Sequence, residues 1–354
     1  MLFIMCLVSF IVPVYNLTEE EVSTCISSIV NQTVLDSEII IVDDGSNNGI
    51  EVYCDSIGKK YGALVIHQQN QGLSVARNTG MRTAHGTWIV HVDGDDWVDN
   101  ELVECLQKRS INSNADIIVW GFVVDNGKKK QRLLLKNKKA FDNDYFLIKE
   151  SVLCSILNYD TTFASLALNT SWGKAYRHDF IKQNNLYYDT TLRRAQDAVY
   201  NLYAFNRASS IIYIDKALNY YRTNNVSLSR GYDPRTIDYL SLTAKAVERF
   251  VSESDSSSRV KEASAIFIQR CFRIINVQYY QHKDNTQPYH KRKKHFNDAI
   301  SAEPFKSAFS SNLVRQGMIN KITDFMYKHK MFGGICLFNN LMSFAIKIKN
   351  LAYR

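Results

Sequence analysis

Along the first hundred residues of this 354-residue chain, unbroken apolar runs alternate with amphipathic ones. Residues 7–14 form a continuous apolar run rich in β-branched side chains, the pattern of a strand covered on both faces. A capping box from Thr18 to Glu21 follows, with Val22, Cys25, Ile26 and Ile29 on one helical face. Residues 38–42 (EIIIV) predict a second buried strand, ending in the turn Asp43-Asp44-Gly45-Ser46. A helix over 48–61, a short strand over 63–67, a loop over 68–72 and a helix over 73–84 come next. The fourth strand, 87–92 (TWIVHV), again ends in acid, at Asp93-Gly94-Asp95-Asp96.

Strand and helix in alternation with short joints predict parallel pairing in a doubly wound α/β sheet. In such sheets ligands sit beyond the carboxyl ends of the strands, where the segment from Pro13 to Asn16, the Asp43 turn and the Asp93 cluster all fall. The pattern then loosens. It predicts a helix over 99–112, a strand over 116–124 hairpinned through Asn126-Gly127-Lys128 to 131–135, and helices over 143–157, 171–184 and 197–206. Late strands over 210–214 and 217–222 follow, and beyond residue 233 the periodicity is helical, as in Ile237, Leu240, Ala244, Val247 and Val251. This divides the chain into an α/β domain over 1–230, with halves at 1–110 and 111–230, and a basic helical region over 231–354.

Composition narrows the class. With 45% hydrophobic and 22% charged residues the chain has a core to bury. Seven scattered cysteines without a Cys-x-x-Cys pair argue against a disulfide framework or a zinc knuckle and for a reducing, cytoplasmic location. Residues 1–15 lack a basic start and a small-residue cleavage site and are too short to span a bilayer, so they read as a buried strand. The net charge of +8 gathers at 128–139, at 290–295 (HKRKKH) and over 321–354. In the last segment six Lys/Arg and one Asp alternate with Phe325, Phe332, Leu337, Leu341 and Phe344, as in a helix lying in a membrane interface. The competing reading is a helical cap on the catalytic domain. No nucleic-acid-binding module is recognisable.

The acidic clusters carry the chemistry. Asp93 and Asp95, two residues apart across Gly94, can turn toward one hard cation, and oxygen ligands suit Mg²⁺ or Mn²⁺. An EF-hand reading fails because Trp97 takes a ligand position and Val98 stands where the loop needs Gly. A plain polar turn remains the bland alternative, as packing does for Tyr15 and a surface ion pair for Arg77, whose fork of donors otherwise suits a phosphate.

Taken in order, VPVYN, IIIVDDGS, NQGLSVARNTGMRTAHG and WIVHVDGDDWV resemble the donor half of the family 2 inverting glycosyltransferases of GT-A fold, closely over residues 7–110. The resemblance implies a mostly parallel sheet flanked by helices, with a helical C-terminal region. It also implies an enzyme of surface polysaccharide synthesis that uses a nucleotide-sugar donor, most often a UDP-sugar, and a glycan or lipid-linked glycan acceptor at the cytoplasmic membrane face. Pro13, Tyr15, Asn16 and Asp44 would then hold the nucleotide, Arg77 and Arg222 the diphosphate, Asp93 the ribose side, and Asp95 with Asp93 a Mn²⁺ or Mg²⁺ ion. SWGKAY resembles the family's W-x-K segment, which with Asp96 assigns Asp96, Trp172 and Lys174 to the acceptor or sugar side. Asp197 stands at the position of the catalytic base, though Gln196 replaces the usual Glu before it. A nucleotidyltransferase would need a basic, Gly-rich loop after the first strand, where this chain has acids; a non-catalytic module of the same fold is the other alternative.

Overall fold

A computed structural model describes residues 7–111, 113–137, 141, 145–223, 231–310 and 318–352, with residues 343–352 described by backbone alone. Two compact units divide the chain, 1–225 and 226–354. The boundary expected near residue 230 lies outside the described residues, as do Ser227 and Ser229 of the segment after Arg222.

The first unit opens with β1 (Val8–Val14), α1 (Glu19–Val30), β2 (Ser37–Asp43), α2 (Ile50–Tyr61), β3 (Leu64–His67), α3 (Leu73–Thr83) and β4 (Trp88–His91). It continues with β5 (Trp97–Val98), α4 (Leu102–Ser110), β6 (Ile117–Asp125), β7 (Lys130–Leu133), α5 (Tyr145–Ile156), β8 (Lys174–Arg177), α6 (His178–Gln183), α7 (Gln196–Arg207) and β9 (Ile211–Arg222). The strands lie in the order β3-β2-β1-β4-β8-β6-β9-β5, with β7 paired to β6. The first four are mutually parallel, as the alternation of strand and helix requires. Beyond β4 the sheet is mixed, because β8 runs antiparallel to both β4 and β6.

Local chemistry sets these elements. The Thr18 hydroxyl accepts the Glu21 N–H while the Glu21 carboxylate accepts the Thr18 N–H at 2.8 Å, so the capping box starts α1 as read. α2 stops at Gly62, whose φ of 70° suits glycine. All seven residues of β1 are buried, and Phe10, Val12, Ile41, Trp88, Val90, Ile118 and Trp120 form the centre of the core. On the other face α3 lies close to β1: a Cβ at Gly80 would stand 2.4 Å from Ile11 Cγ2. That close approach sets Arg77, one turn earlier on α3, against the strand ends.

Two expectations need correction. The helix predicted over 171–184 is strand β8 followed by the short helix α6. Four residues are too few to show an alternating period, and the conformation comes from pairing: Ala175 lies between Val90 and Ile118. The separate strands at 210–214 and 217–222 are one strand, β9, and the exposed Asp215 and Lys216 that interrupt the apolar pattern sit at a register shift opposite Trp120 and Gly121.

The second unit holds α8 (Thr236–Glu253), α9 (Ser258–Ile275), a π-helical turn at Asn276–Tyr280, α10 (Tyr289–Ile300), α11 (Phe305–Ser310), α12 (Met318–Lys328) and α13 (Phe332–Ala352). Its centre is Phe272, ringed by Tyr280, Phe296, Phe305, Phe309 and Tyr327.

Gly86, just before β4, tests the tightness of the parallel core. A Cβ there would lie 2.6 Å from the Ser9 backbone nitrogen and 2.8 Å from the Val8 carbonyl carbon. Gly86→Ala should cost about 1–3 kcal/mol, read as a lower urea midpoint at unchanged slope.

Candidate active site

The strand ends meet because Gly94 carries no side chain. A Cβ at that position would fall 2.7 Å from Leu17 Cδ1 and 3.0 Å from the Pro13 carbonyl oxygen. The turn after β4 therefore packs directly on the end of β1, and the Asp44 N–H, donating to the Val14 carbonyl at 2.9 Å, draws in the end of β2. Tyr15, 49% exposed, projects from this corner with its ring accessible.

Arg77 joins the two halves of the domain. Its guanidinium is fully buried, with one Nη donating to Asp197 at 2.5 Å and the other to Asp93 at 2.7 Å. Asp93 follows β4, whereas Asp197 lies in the first turn of α7, whose N-terminal dipole favours a carboxylate. Burial pulls the guanidinium's pKa down, but Asp197 and Asp93 outweigh it and hold the pKa above its ordinary value. Burial raises the pKa of Asp197, and Arg77 opposes that rise. The two carboxylates keep side-chain exposures of 28% and 21%, so both reach solvent while the cation beneath them does not.

Asp95 differs from its neighbours. Among the described residues no side chain bonds its carboxylate, and burial, then Asp93, raise its pKa. A cation beside it would relieve this crowding of negative charge, and carboxylate oxygens suit Mg²⁺ or Mn²⁺. Among the described residues no cluster of three His, Cys, Asp or Glu forms a ready-made metal site. Asp95, with Asp93 beside it, is where such an ion would be held. Arg222 borders the same turn: its N–H donates to Asp96 at 2.8 Å, its Nε to the Asp95 carbonyl at 3.2 Å, and its guanidinium lies 5.2 Å from the Trp97 ring centre.

The Glycosyl transferase family 2 sequence profile matches residues 9–184. Over 75% of each chain, the protein is 32% identical to the uncharacterized glycosyltransferase EpsJ of Bacillus subtilis. The chain belongs to glycosyl transferase family 2. It is also 24% identical to a poly(ribitol-phosphate) beta-glucosyltransferase of Bacillus spizizenii, over 75% of this chain and 40% of that longer protein. Among solved structures, S. aureus TarS 1-349 in complex with UDP-GlcNAc shares the fold, with a TM-score of 0.67 at 17% identity over 96% of this chain and 92% of that TarS segment. The protein is therefore a sugar-transferring enzyme with a GT-A sheet and a helical C-terminal region.

Within this family 2 enzyme the sequence-assigned residues separate into groups. Asp93, Asp95, Asp197, Arg77 and Arg222 converge as described, beside Pro13 and Tyr15. Asn16 has φ of 50° and is occupied by its own corner, its N–H donating to Ser46 Oγ and its side-chain oxygen accepting the Asn47 N–H. Asp44 is 3% exposed, and its carboxylate accepts Gln68 Nε2 at 2.7 Å and the N–H groups of Gln71 and Gly72 at 2.9 and 2.7 Å. It thus shapes the loop that starts α3. Arg193 lies across Gly72, where a Cβ would meet its guanidinium, and donates to the Gln71 carbonyl.

Three acceptor assignments change. Lys174 is fully buried and its ammonium donates to the carbonyls of Ala167, Thr170 and Trp172 at 3.2, 2.7 and 2.8 Å, so it cannot touch an acceptor. Burial pushes its pKa down to about 7. Trp172 is 6% exposed, packed against Phe122 and stacked on the half-exposed Tyr221. Asp96 is 2% exposed and holds the end of β9 through the Arg222 N–H, and burial raises its pKa well above the carboxylate range.

No sequence motif marks the layer beneath Arg77. Tyr188 lies 5.4 Å from the guanidinium and stacks on Tyr200 at 4.2 Å, and His91 meets Tyr188 edge-on at 5.5 Å. Burial, reinforced by Arg77 and Lys174, holds the His91 pKa well below its ordinary value, so the ring is neutral. The apolar run TWIVHV was the only signal for His91, and it reads as strand.

The corner of β2 is clipped by His67, whose Nδ1 meets Asp43 at 2.8 Å and Nε2 meets Asp55 at 3.0 Å. Asp43 and Asp55 raise its pKa above the ordinary value near 6.5. The clip therefore stabilises fully below about pH 6.5 and is lost as pH rises through the folded-state pKa. His67→Gln should lower the thermal midpoint more at pH 6 than at pH 9; an equal loss at both would mean that the imidazolium contributes nothing.

Proposed function

We propose that this enzyme transfers a hexose or N-acetylhexosamine from a UDP-sugar to a hydroxyl of a surface glycan, with inversion at the anomeric carbon. The observation that carries the reading is the fork of Arg77 between Asp93 and Asp197, which sets a donor-side and an acceptor-side carboxylate on one cleft edge. The choice of UDP rests on the motif resemblance, and TarS, of the same fold, was solved with UDP-GlcNAc. The acceptor class follows the relative named a poly(ribitol-phosphate) beta-glucosyltransferase.

Asp197 is the general base. Arg77 keeps it ionised, while burial makes it a stronger proton acceptor than a surface carboxylate. It takes the acceptor hydroxyl's proton as that oxygen attacks the sugar from the face opposite the diphosphate. Arg77 is polarised between two acids and remains a full cation throughout, so it stabilises negative charge that grows near Asp93. Arg222 borders the same turn from the end of β9, and the exposed Tyr15 ring offers the base a stacking surface. A Mg²⁺ or Mn²⁺ ion held by Asp95, with Asp93 beside it, would supply Lewis-acid neutralisation of the leaving diphosphate.

Asp197→Asn should retain UDP binding by calorimetry while UDP release with acceptor falls by ~10² to 10⁴-fold. Turnover at the wild-type rate would remove Asp197 from this role. Asp95→Asn should abolish the gain in UDP affinity that added Mn²⁺ gives the wild type, read by calorimetry without any turnover. Identical titrations with and without Mn²⁺ in the wild type would refute the metal assignment.

A further inference from the structure

Helix α12 packs into its unit through Tyr327 and Asp324. Tyr327 packs among Phe272, Phe296 and Phe309, and its hydroxyl accepts Asn276 Nδ2 at 2.8 Å. Asp324, the last acidic residue of the chain, is turned inward to the same side and bonded by Arg273. The outward side is apolar: Met318, Ile319, Ile322 and Phe325 are 78, 52, 40 and 57% exposed. At 3.6 residues per turn, Met318, Ile322 and Phe325 fall in one stripe, with Ile319 at its shoulder. A helix on a water-facing surface carries the opposite arrangement, with its charges outside.

The surroundings of the stripe choose its occupant. Lys321 lies three residues after Met318 and four before Phe325, and Lys328 three after Phe325, so both line the same border of the stripe. Helix α13 packs on α12 and adds Leu337 and Leu341, 62 and 59% exposed and one turn apart. From residue 325 to the end the sequence has five Lys/Arg and no acid. Tyr289, 49% exposed and 5.5 Å from the Phe332 ring at the start of α13, opens α10 and its run of Lys291, Arg292, Lys293 and Lys294. Positive charge of one sign bordering an apolar stripe matches a surface of phosphates over hydrocarbon. No helix among the described residues is long and apolar enough to cross a membrane, so the stripe suits a helix lying in the plane of one.

We propose that the outward face of α12, extended by the first turns of α13, docks this enzyme on an anionic lipid bilayer, with Met318, Ile322 and Phe325 at the headgroup boundary and the lysines on lipid phosphates. This surface is independent of the catalytic assignment, since none of its residues belongs to the cleft. The test is co-sedimentation of the full chain with vesicles of phosphatidylcholine, with or without phosphatidylglycerol. The wild type pellets with the phosphatidylglycerol vesicles, less so in high salt. The double variant I322E/F325E lowers the bound fraction by about tenfold while keeping the wild-type circular dichroism, because both side chains are solvent-exposed. UDP release from donor, assayed in parallel, reports separately on the enzyme reading. Failure of the wild type to pellet, or equal pelleting of the variant, overturns the proposal. So does a wild-type dimer in light scattering that the variant dissolves without any lipid dependence, which would give this face to a second copy of the chain.

Discussion

The site depends on one buried cation. Arg77 has no solvent contact, and a guanidinium without water must be matched by opposite charge at hydrogen-bonding distance or it will not stay in the fold. Asp93 and Asp197 supply the match, and they come from segments more than a hundred residues apart. Removing either acid leaves the cation half compensated, so the pairing constrains the end of β4 and the start of α7 at once. The fork shape matters as much as the charge, because two parallel N–H groups fix the direction of both carboxylates where a lysine would fix neither.

Around that pairing the remaining acids perform different tasks, which burial and partners decide. Asp44 and Asp96 spend their oxygens on backbone N–H groups, the first at the loop before α3 and the second at the end of β9. The Asp95 carboxylate accepts its own backbone N–H and, among the described residues, no side chain. Four carboxylates that look alike in the motifs are thus two structural ties, one counter-charge and one held by its own backbone N–H. A similar division holds among the aromatic residues: Trp172 is packed away while Tyr221 and Tyr15 face outward.

The first half of the domain was legible because its elements declare themselves locally. Long β-branched runs, a capping box and acid-ended strands identify β1, α1, β2 and β4 without reference to anything distant. The second half was not. β8 takes its conformation from two neighbours that contribute across the sheet, and SWGKAY carries no period that a four-residue strand could reveal. The family resemblance puts Lys174 and Asp96 on the acceptor or sugar side, and only burial shows that their polar atoms are consumed inside the protein. Tyr188 and His91, which underlie Arg77, are ordinary residues in sequence and acquire a role through packing alone.

The turn that precedes β8 has a further property. Gly173 and Ala167, with φ of 78° and 46°, curl the backbone so that carbonyl oxygens point inward onto the Lys174 ammonium. Many proteins organise such a ring of oxygens around a sodium or calcium ion, which a chelator or a dilute buffer can strip out. Here the counter-ion is tethered by four methylenes to the very loop it shapes. The loop before β8 therefore needs no bound ion to hold its carbonyls together, and loss of the proton from that one nitrogen would loosen it.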